Sequence, residues 1–105
     1  MEKISDVIVV GGGIGGLAAA LSIVQQSNKS VTVLEQAAQF GEVGAGIQLA
    51  PNALHVLEQL GVKKAIEDVS VFPKRLVLKD VYTAEELAVL DLTDGFQERF
   101  GQPYV

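Results

Sequence analysis

The sequence predicts an α/β fold that begins with a strand–helix–strand unit and continues into an antiparallel hairpin. A β-branched run at residues 7–10 leads directly into a cluster of glycines, VIVVGGGIGG. A helical pattern of apolar residues and a second β-branched run, at residues 31–35, follow this cluster. Two further strand-like runs, at residues 75–82 and 87–92, are separated by a connection short enough for a hairpin.

The composition is that of one small acidic domain with enough apolar residues to form a core. The chain has 105 residues, is 49% hydrophobic and carries a formal net charge of −5. This charge argues against a nucleic-acid partner, because nucleic-acid-binding surfaces are normally basic. The chain contains no cysteine and one histidine, which excludes disulfides and thiolate chemistry and leaves a zinc site almost without ligands.

The uncharged stretch at residues 7–28 raises the alternative of a membrane span or an export signal. Its clustered glycines, its polar end QQSN, and Glu2 and Asp6 in the preceding flank argue against both. We therefore expect no membrane partner. Since no targeting segment is evident, the expected location is the cytoplasm.

The first strand is predicted over residues 4–10, because a near-continuous apolar run suits a parallel strand that is buried on both faces. The next helix is expected to end near residue 27, with Asn28 in a left-handed cap. The second strand takes residues 31–35, and a right-handed crossover makes the two strands parallel. The apolar stripe predicted for the helix comprises Ile14, Leu17, Ala18, Leu21 and Val24.

A loop rich in glycine and alanine, residues 36–49, precedes a second helix in which Pro51 takes the first turn. Gly61 ends this helix, and a short helical turn is predicted over residues 62–68. The final stretch, TDGFQERFGQPYV, shows no clear periodicity. The apolar stripe predicted for the second helix comprises Ala53, Val56, Leu57 and Leu60.

The clustered glycines fit the pattern G-x-G-x-x-G at Gly11, Gly13 and Gly16. Gly11 allows a sharp turn, Gly13 removes a side chain where a pyrophosphate touches the backbone, and Gly16 lets the helix pack close to the strand. The helix N-terminus then offers N–H groups and a partial positive charge to the phosphates. The pattern predicts a Rossmann-like dinucleotide site, and a loop that serves packing alone is the alternative.

The sequence around the glycines strengthens this prediction. A strand precedes them, a helix follows, Ala20 occupies a close-packing position, and Glu35 ends the next strand. Glu35 is placed to accept hydrogen bonds from ribose hydroxyls. A carboxylate there favours a free 2′-hydroxyl over a 2′-phosphate, so the predicted ligand is FAD or NAD rather than NADP. A solvated acid is the alternative for Glu35.

Three blocks of sequence resemble one protein family. VIVVGGGIGGLAAAL, VTVLEQ and GEVGAGIQLAPNALHVLEQLGV are similar to the N-terminal part of the class A flavoprotein monooxygenases, which are FAD-dependent aromatic hydroxylases. The likeness is greatest to their salicylate-hydroxylase-like branch. The third block carries most of the specificity, because NAD-linked dehydrogenases have no such segment. The resemblance covers nearly the whole chain but only the beginning of such an enzyme.

The resemblance implies that FAD is the cofactor and that its pyrophosphate is held at Gly11, Gly13, Ile14 and Gly16. It implies that Glu35 binds the adenosine ribose. Small side chains in the loop at residues 42–48 let a flat ligand approach the backbone, although an ordinary turn is the alternative there. The cofactor-binding residues implied for this loop are Ala45, Gly46 and Gln48.

The implied function is that of the FAD-binding N-terminal part of a flavin-dependent monooxygenase. When complete, this enzyme would use NADH or NADPH and O2 to hydroxylate a small aromatic or related cyclic substrate. No residue of this chain is assigned a catalytic role, and no metal is expected. A non-catalytic dinucleotide-binding module and a non-functional truncated product stay open as alternatives, whereas the segment at residues 41–49 argues against an NAD-linked dehydrogenase.

We expect residues 1–72 to form the FAD-binding βαβ region and residues 73–105 to begin a substrate-binding β region. The sheet is expected to be incomplete, with exposed apolar edges, and to need the remainder of its own chain. His55 is interpreted as a solvated surface residue. Tyr82, Arg99 and Tyr104 are candidates for a substrate pocket, with core or surface positions as the alternative.

Overall fold

The computed structural model describes residues 5–41 and 46–105, and the chain divides into two compact units between residues 45 and 46. The βαβ start and the mixed α/β content confirm the predicted fold class. The expected domain boundary at residues 72 and 73 stays a prediction. In chain order the elements are β1 Val7–Val10, α1 Ile14–Gln26, β2 Val31–Leu34, α2 Pro51–Gln59, α3 Lys63–Glu67, β3 Arg75–Lys79, β4 Glu86–Asp91 and α4 Asp94–Phe100.

The first unit is a parallel two-stranded sheet with α1 packed against both strands. The register runs from the pair Val7 and Val31 to the pair Val10 and Leu34. Burial alternates along each strand, so one face of the sheet is more protected than the other. Val10 is 84% exposed, which agrees with the expectation of an incomplete sheet with exposed apolar positions.

Helix α1 is buried on a side that overlaps the predicted stripe only in part. Gly16, Ala20 and Ile23 lie on the side that is at least partly buried, and Ala20 is the most buried residue of the helix. By contrast Ile14 and Val24, from the predicted apolar stripe, are more than half exposed. The small residues Gly16 and Ala20 occur on this side because they let the helix axis approach the strands closely.

The end of α1 also differs from the prediction, because Asn28 is not left-handed. The helix ends at Ser27, which has an extended backbone. The Ser27 hydroxyl donates to the Ile23 carbonyl oxygen at 2.6 Å and accepts from the Lys29 N–H at 3.3 Å. A serine side chain thus satisfies a carbonyl that a left-handed residue would otherwise help to pair.

In the second unit, α2 starts at Pro51 and is followed by Gly61 with a φ of +78°, both as predicted. The predicted stripe is wrong at Val56, which is 50% exposed. Leu54 takes its place and is fully buried, at 0% exposure. Leu57 and Leu60 share that face of the helix, and the short helix α3 confirms the turn predicted after Gly61.

Strands β3 and β4 form the predicted antiparallel hairpin, which pairs Arg75 with Asp91 and ends in a bulge after Leu78. Every residue of β4 is exposed. The structure also contains α4, a helix that was not predicted because its sequence shows no clear periodicity. Its two aromatic side chains, Phe96 and Phe100, pack with ring centroids 4.6 Å apart and ring planes tilted by 48°, and a left-handed Gly101 follows the helix. Within the described residues no helix is both long and apolar enough to cross a bilayer.

Candidate functional site

The connection from β1 to α1 starts with a main-chain turn at Gly11. The Gly11 N–H donates to the Leu34 carbonyl oxygen at 2.7 Å, which extends the pairing of the two strands by one step. Gly11 has a φ of +104°, a region that side chains rarely adopt. The chain therefore turns out of the strand at the residue where the motif predicts a sharp turn.

Gly16 brings helix α1 onto strand β1. A Cβ atom added to Gly16 would stand 1.9 Å from the Gly11 carbonyl oxygen and 3.5 Å from Cγ1 of Val9. The first contact is far below a van der Waals separation and involves backbone on both sides, so no rotamer change relieves it. The close helix–strand packing predicted for Gly16 is confirmed.

Gly13 is a glycine for a different reason. A Cβ atom added there meets nothing within 4 Å, and its φ of −71° suits any residue. Packing and backbone strain within the described chain therefore do not require glycine at this position. A loop that serves packing alone would explain Gly16 but not Gly13. An open approach to the backbone is what a ligand needs here.

Helix α1 begins directly after Gly13 and carries no side-chain cap. Its first turn contains no acidic residue. The partial positive charge and the N–H groups of a helix N-terminus are therefore not neutralised by a side chain of this turn. Ile14, the first helical residue, lies 58% exposed at this end. The arrangement suits an anion such as a pyrophosphate.

The Glu35 carboxylate follows β2 and is held by two backbone N–H groups. Oε2 accepts from Gly12 at 2.7 Å, and Oε1 accepts from Ala37 at 2.8 Å. These bonds, with the Ala37 N–H contributing most, hold the pKa of Glu35 below its usual range. The carboxylate is therefore charged and fixed beside the glycine loop. A carboxylate can accept about four hydrogen bonds, so sites remain for ribose hydroxyls.

The structure adds two residues that the motif alone does not assign. Gly12 is buried, and a Cβ atom there would stand 3.0 Å from both Oε2 of Glu35 and Cε1 of Phe40. The middle glycine of GGG thus lets the Glu35 side chain reach the loop backbone. The sequence signal for this role was the extra glycine at position 12, which the pattern G-x-G-x-x-G does not require. Phe40 is 73% exposed and had no signal of its own.

The predicted residues of the following loop lie partly in the second unit. Ala45 falls outside the described residues. Gly46 is exposed, and a Cβ atom there meets nothing within 4 Å. Gln48 is exposed, and its Oε1 accepts a hydrogen bond from the Tyr104 hydroxyl at 2.6 Å. Their contact with a cofactor stays a prediction.

The other candidate residues of the second unit have ordinary surroundings. His55 is exposed and its Nε2 lies 3.0 Å from the Phe100 carbonyl oxygen, so it is a surface residue that joins α2 to the end of α4. Tyr82 is 94% exposed in the hairpin connection, and the Arg99 guanidinium lies over the Phe100 ring. No group of three or more His, Cys, Asp or Glu side chains that could hold a metal occurs in residues 5–41 and 46–105.

The comparisons with known proteins agree with this geometry. A family model described as FAD-dependent oxidoreductase matches residues 6–60, which is just over half of the chain and includes the glycine loop and Glu35. 3-Hydroxybenzoate 6-hydroxylase of Klebsiella oxytoca is 43% identical over 99% of this chain and 26% of its own length. Salicylate hydroxylase of Pseudomonas putida is 49% identical over 56% of this chain and 14% of its own length.

A solved structure shows the same likeness. The crystal structure of HpxO of Klebsiella pneumoniae, complexed with FAD and uric acid, superposes with a TM-score of 0.76 at 28% identity. The alignment covers 93% of this chain and 24% of that one. The resemblance to flavin-dependent aromatic hydroxylases is thus confirmed. The chain spans about a quarter of the length of the Klebsiella oxytoca hydroxylase and of HpxO.

Proposed function

This chain belongs to the family of FAD-dependent oxidoreductases, and from that premise we propose that it supplies the FAD-binding part of a flavin-dependent aromatic hydroxylase. One observation carries the proposal. Glu35 stands as a fixed, charged acceptor beside a glycine loop in which Gly13 is open to a ligand. The adenosine diphosphate half of FAD requires this combination: a carboxylate that accepts hydrogen bonds from the ribose hydroxyls, next to a helix end that binds the phosphates.

Each residue of the first unit has a proposed role toward FAD. The N–H groups of Gly13 and Ile14, where α1 begins, would bind the pyrophosphate oxygens, and Gly11 and Gly16 would shape the turn that presents them. Glu35 would accept hydrogen bonds from the adenosine ribose. The residues proposed for the loop that leads to α2 are Ala45, Gly46 and Gln48.

When bound, FAD would supply the redox chemistry by which NADH or NADPH and O2 hydroxylate a small aromatic substrate. The balance is one substrate, one reductant, one proton and one O2 giving one hydroxylated product, one oxidised nicotinamide and one water. The chain's own contribution is to bind and orient the adenosine end of the cofactor. We assign the catalytic residues and most of the substrate-binding residues to the remainder of the protein.

The names of the relatives support an aromatic substrate, since 3-hydroxybenzoate and salicylate are both hydroxylated aromatic acids. We further propose that the protein acts in the cytoplasm without a nucleic-acid or membrane partner, which agrees with its net charge of −5. Residues 73–105 would begin the substrate-binding β region, for which the antiparallel hairpin is the structural support.

The role of Glu35 is tested by ligand affinity. In the natural full-length protein freed of flavin, Glu35→Ala should weaken FAD binding by roughly tenfold or more, because a charged acceptor is lost. It should also narrow the preference for adenosine 5′-diphosphate over its 2′-phosphorylated analogue, since the repelling carboxylate is gone. Calorimetric titration of the three ligands measures both effects.

Glu85→Ala is the matched control, because Glu85 is an exposed acid in the hairpin connection of the other unit. It should leave all three affinities unchanged. Unaltered FAD affinity and unaltered 2′-phosphate discrimination in Glu35→Ala would refute the ribose assignment. A native protein that binds FAD but never consumes O2 with NADH or NADPH, over a panel of hydroxybenzoates, would instead indicate a non-catalytic dinucleotide-binding module.

A further inference from the structure

Residues 101–105 form a short segment that is bonded to the loop before α2 and to the C-terminal end of that helix. Leu49 and Val105 exchange two backbone hydrogen bonds, of 2.7 Å from the Leu49 N–H and 3.0 Å from the Val105 N–H. Such a reciprocal pair is the unit of an antiparallel ladder. It fixes the backbone of residue 49, which directly follows Gln48.

A buried glutamine anchors the same segment to α2. Gln102 is 2% exposed, and its Nε2 donates to Oε2 of Glu58 at 2.6 Å. The other carboxylate oxygen of Glu58 lies 3.3 Å from the Lys63 ammonium. A flipped Gln102 amide would place its oxygen against the carboxylate, so the orientation of the amide is determined. The segment is thereby held on both sides of Tyr104.

Tyr104 in turn contacts the Gln48 amide. The Tyr104 hydroxyl donates to Oε1 of Gln48 at 2.6 Å, and Tyr104 is half-buried while Gln48 is exposed. A glutamine amide has one accepting oxygen and two N–H donors. In this arrangement the oxygen accepts from Tyr104, and the amide offers its Nε2 N–H groups to a ligand.

We propose that Tyr104 is a positioning residue for the cofactor site, and that through it Gln48 binds FAD as a hydrogen-bond donor to an acceptor atom of the cofactor. The proposal rests on the proposed function, which includes Gln48 among the cofactor-binding residues. Tyr104 itself touches Gln48 and is not assigned a contact with the cofactor. Its effect is to hold the Gln48 side chain in place with the amide oxygen turned toward the Tyr104 hydroxyl.

The test is a double-mutant cycle on FAD affinity, measured by titration of flavin fluorescence in the natural full-length protein. Tyr104→Phe removes only the hydroxyl, and it should raise the FAD dissociation constant roughly 2- to 10-fold, the range for one net hydrogen bond. In a Gln48→Ala background the same change should have no further effect. The unfolding midpoint without FAD should be similar in both Tyr104 forms, whereas a merely structural role would move it.

Gln48→Glu tests the donor assignment independently, and it keeps an oxygen for the Tyr104 hydroxyl while replacing the N–H donors with an acceptor. It should weaken FAD binding more than Gln59→Glu, which makes the same change at an exposed glutamine of α2. Equal effects of Tyr104→Phe in both Gln48 backgrounds, or wild-type affinity in Gln48→Glu, would overturn the proposal. A wild-type protein that does not bind FAD would instead refute the proposed function, and the inference with it.

Discussion

The connection after β1 and the connection after β3 are both short, but different groups determine their shapes. After β1 the turn is determined by main chain, because Gly16 must meet the Gly11 carbonyl and Gly13 stays open. After β3 it is determined by a side chain, because the Asp80 carboxylate accepts from the N–H groups of Tyr82 and Thr83, each at 2.8 Å.

The hairpin connection even contains a left-handed alanine. Ala84 has a φ of +61° and is the one residue other than glycine with positive φ in the described part of the chain. A connection that only reverses a strand therefore tolerates a side chain at a glycine-like position. The connection after β1 has two further demands, a helix in contact with the strand and an open approach for a ligand, and for these only glycine suffices.

The largest expected effect comes from breaking the main-chain contact. Gly16→Val places a Cβ atom 1.9 Å from the Gly11 carbonyl oxygen, so α1 must move away from β1. We expect a loss of more than about 4 kcal/mol in the free energy of unfolding, which lies in the range of severe overpacking. Urea unfolding followed by circular dichroism measures it.

Gly15→Ala is the matched control, because it lies on the same helix and a Cβ atom there meets nothing within 4 Å. Alanine also favours a helix over glycine by about 0.5–1 kcal/mol, so this variant should be as stable as the wild type or more so. A Gly16→Val protein that unfolds at the wild-type urea concentration would show that the helix does not need this contact.

These positions also show how far the sequence predicts the structure. Gly16 was predictable, because the motif assigns a physical task to its place between a strand and a helix. The hairpin was predictable from a short connection between two strand-like runs. Leu54 was not, because one extra apolar residue beside the stripe shifts the buried face of α2, and only tertiary packing decides which side is covered.

The fourth helix and the role of Gly12 were missed for different reasons. Helix α4 has only two large apolar residues, Phe96 and Phe100, too few to show a helical period, although Thr93 before it and Gly101 after it are typical boundary residues. Gly12 contacts Glu35 across the sheet, and a local pattern cannot show a contact between residues that are distant in sequence.

The second prediction concerns the connection after β3, whose shape depends on the Asp80 side chain. The Thr83 N–H and then the Tyr82 N–H hold the pKa of Asp80 below its usual range. A lowered pKa in the folded state adds stability that is fully present above the ordinary aspartate pKa and is lost as the pH falls through the folded one. Asp80→Ala should therefore be less stable than the wild type at neutral pH, and the difference should become smaller in acid.

Urea unfolding of both proteins at a series of pH values from neutral to strongly acidic gives this difference directly. Asp80→Asn keeps a neutral acceptor for the turn, so its stability relative to Asp80→Ala should not depend on pH. The effect should be smaller than that of Gly16→Val, because an exposed turn is partly satisfied by water. A difference between the wild type and Asp80→Ala that persists undiminished in strong acid would contradict the assigned role of the charge.

The smallest expected effect is at Ala84, and its sign is informative. A left-handed conformation costs an alanine about 1–2 kcal/mol, whereas glycine loses about 0.5–1 kcal/mol more chain entropy on folding. Ala84→Gly should therefore stabilise the protein by about 0.5 kcal/mol. Gly61→Ala makes the reverse change at a φ of +78° with open space around it, and it should destabilise by a similar amount.

Changes of opposite sign in the free energy of unfolding of these two variants would show that backbone conformation alone governs both positions. Thermal and urea unfolding of each variant against the wild type resolve the signs even where the magnitudes are small. If Ala84→Gly destabilises, the alanine methyl must make a favourable contact that outweighs the strain. The hairpin connection would then depend on its side chains at Ala84 as well as at Asp80, which would sharpen its contrast with the glycine loop after β1.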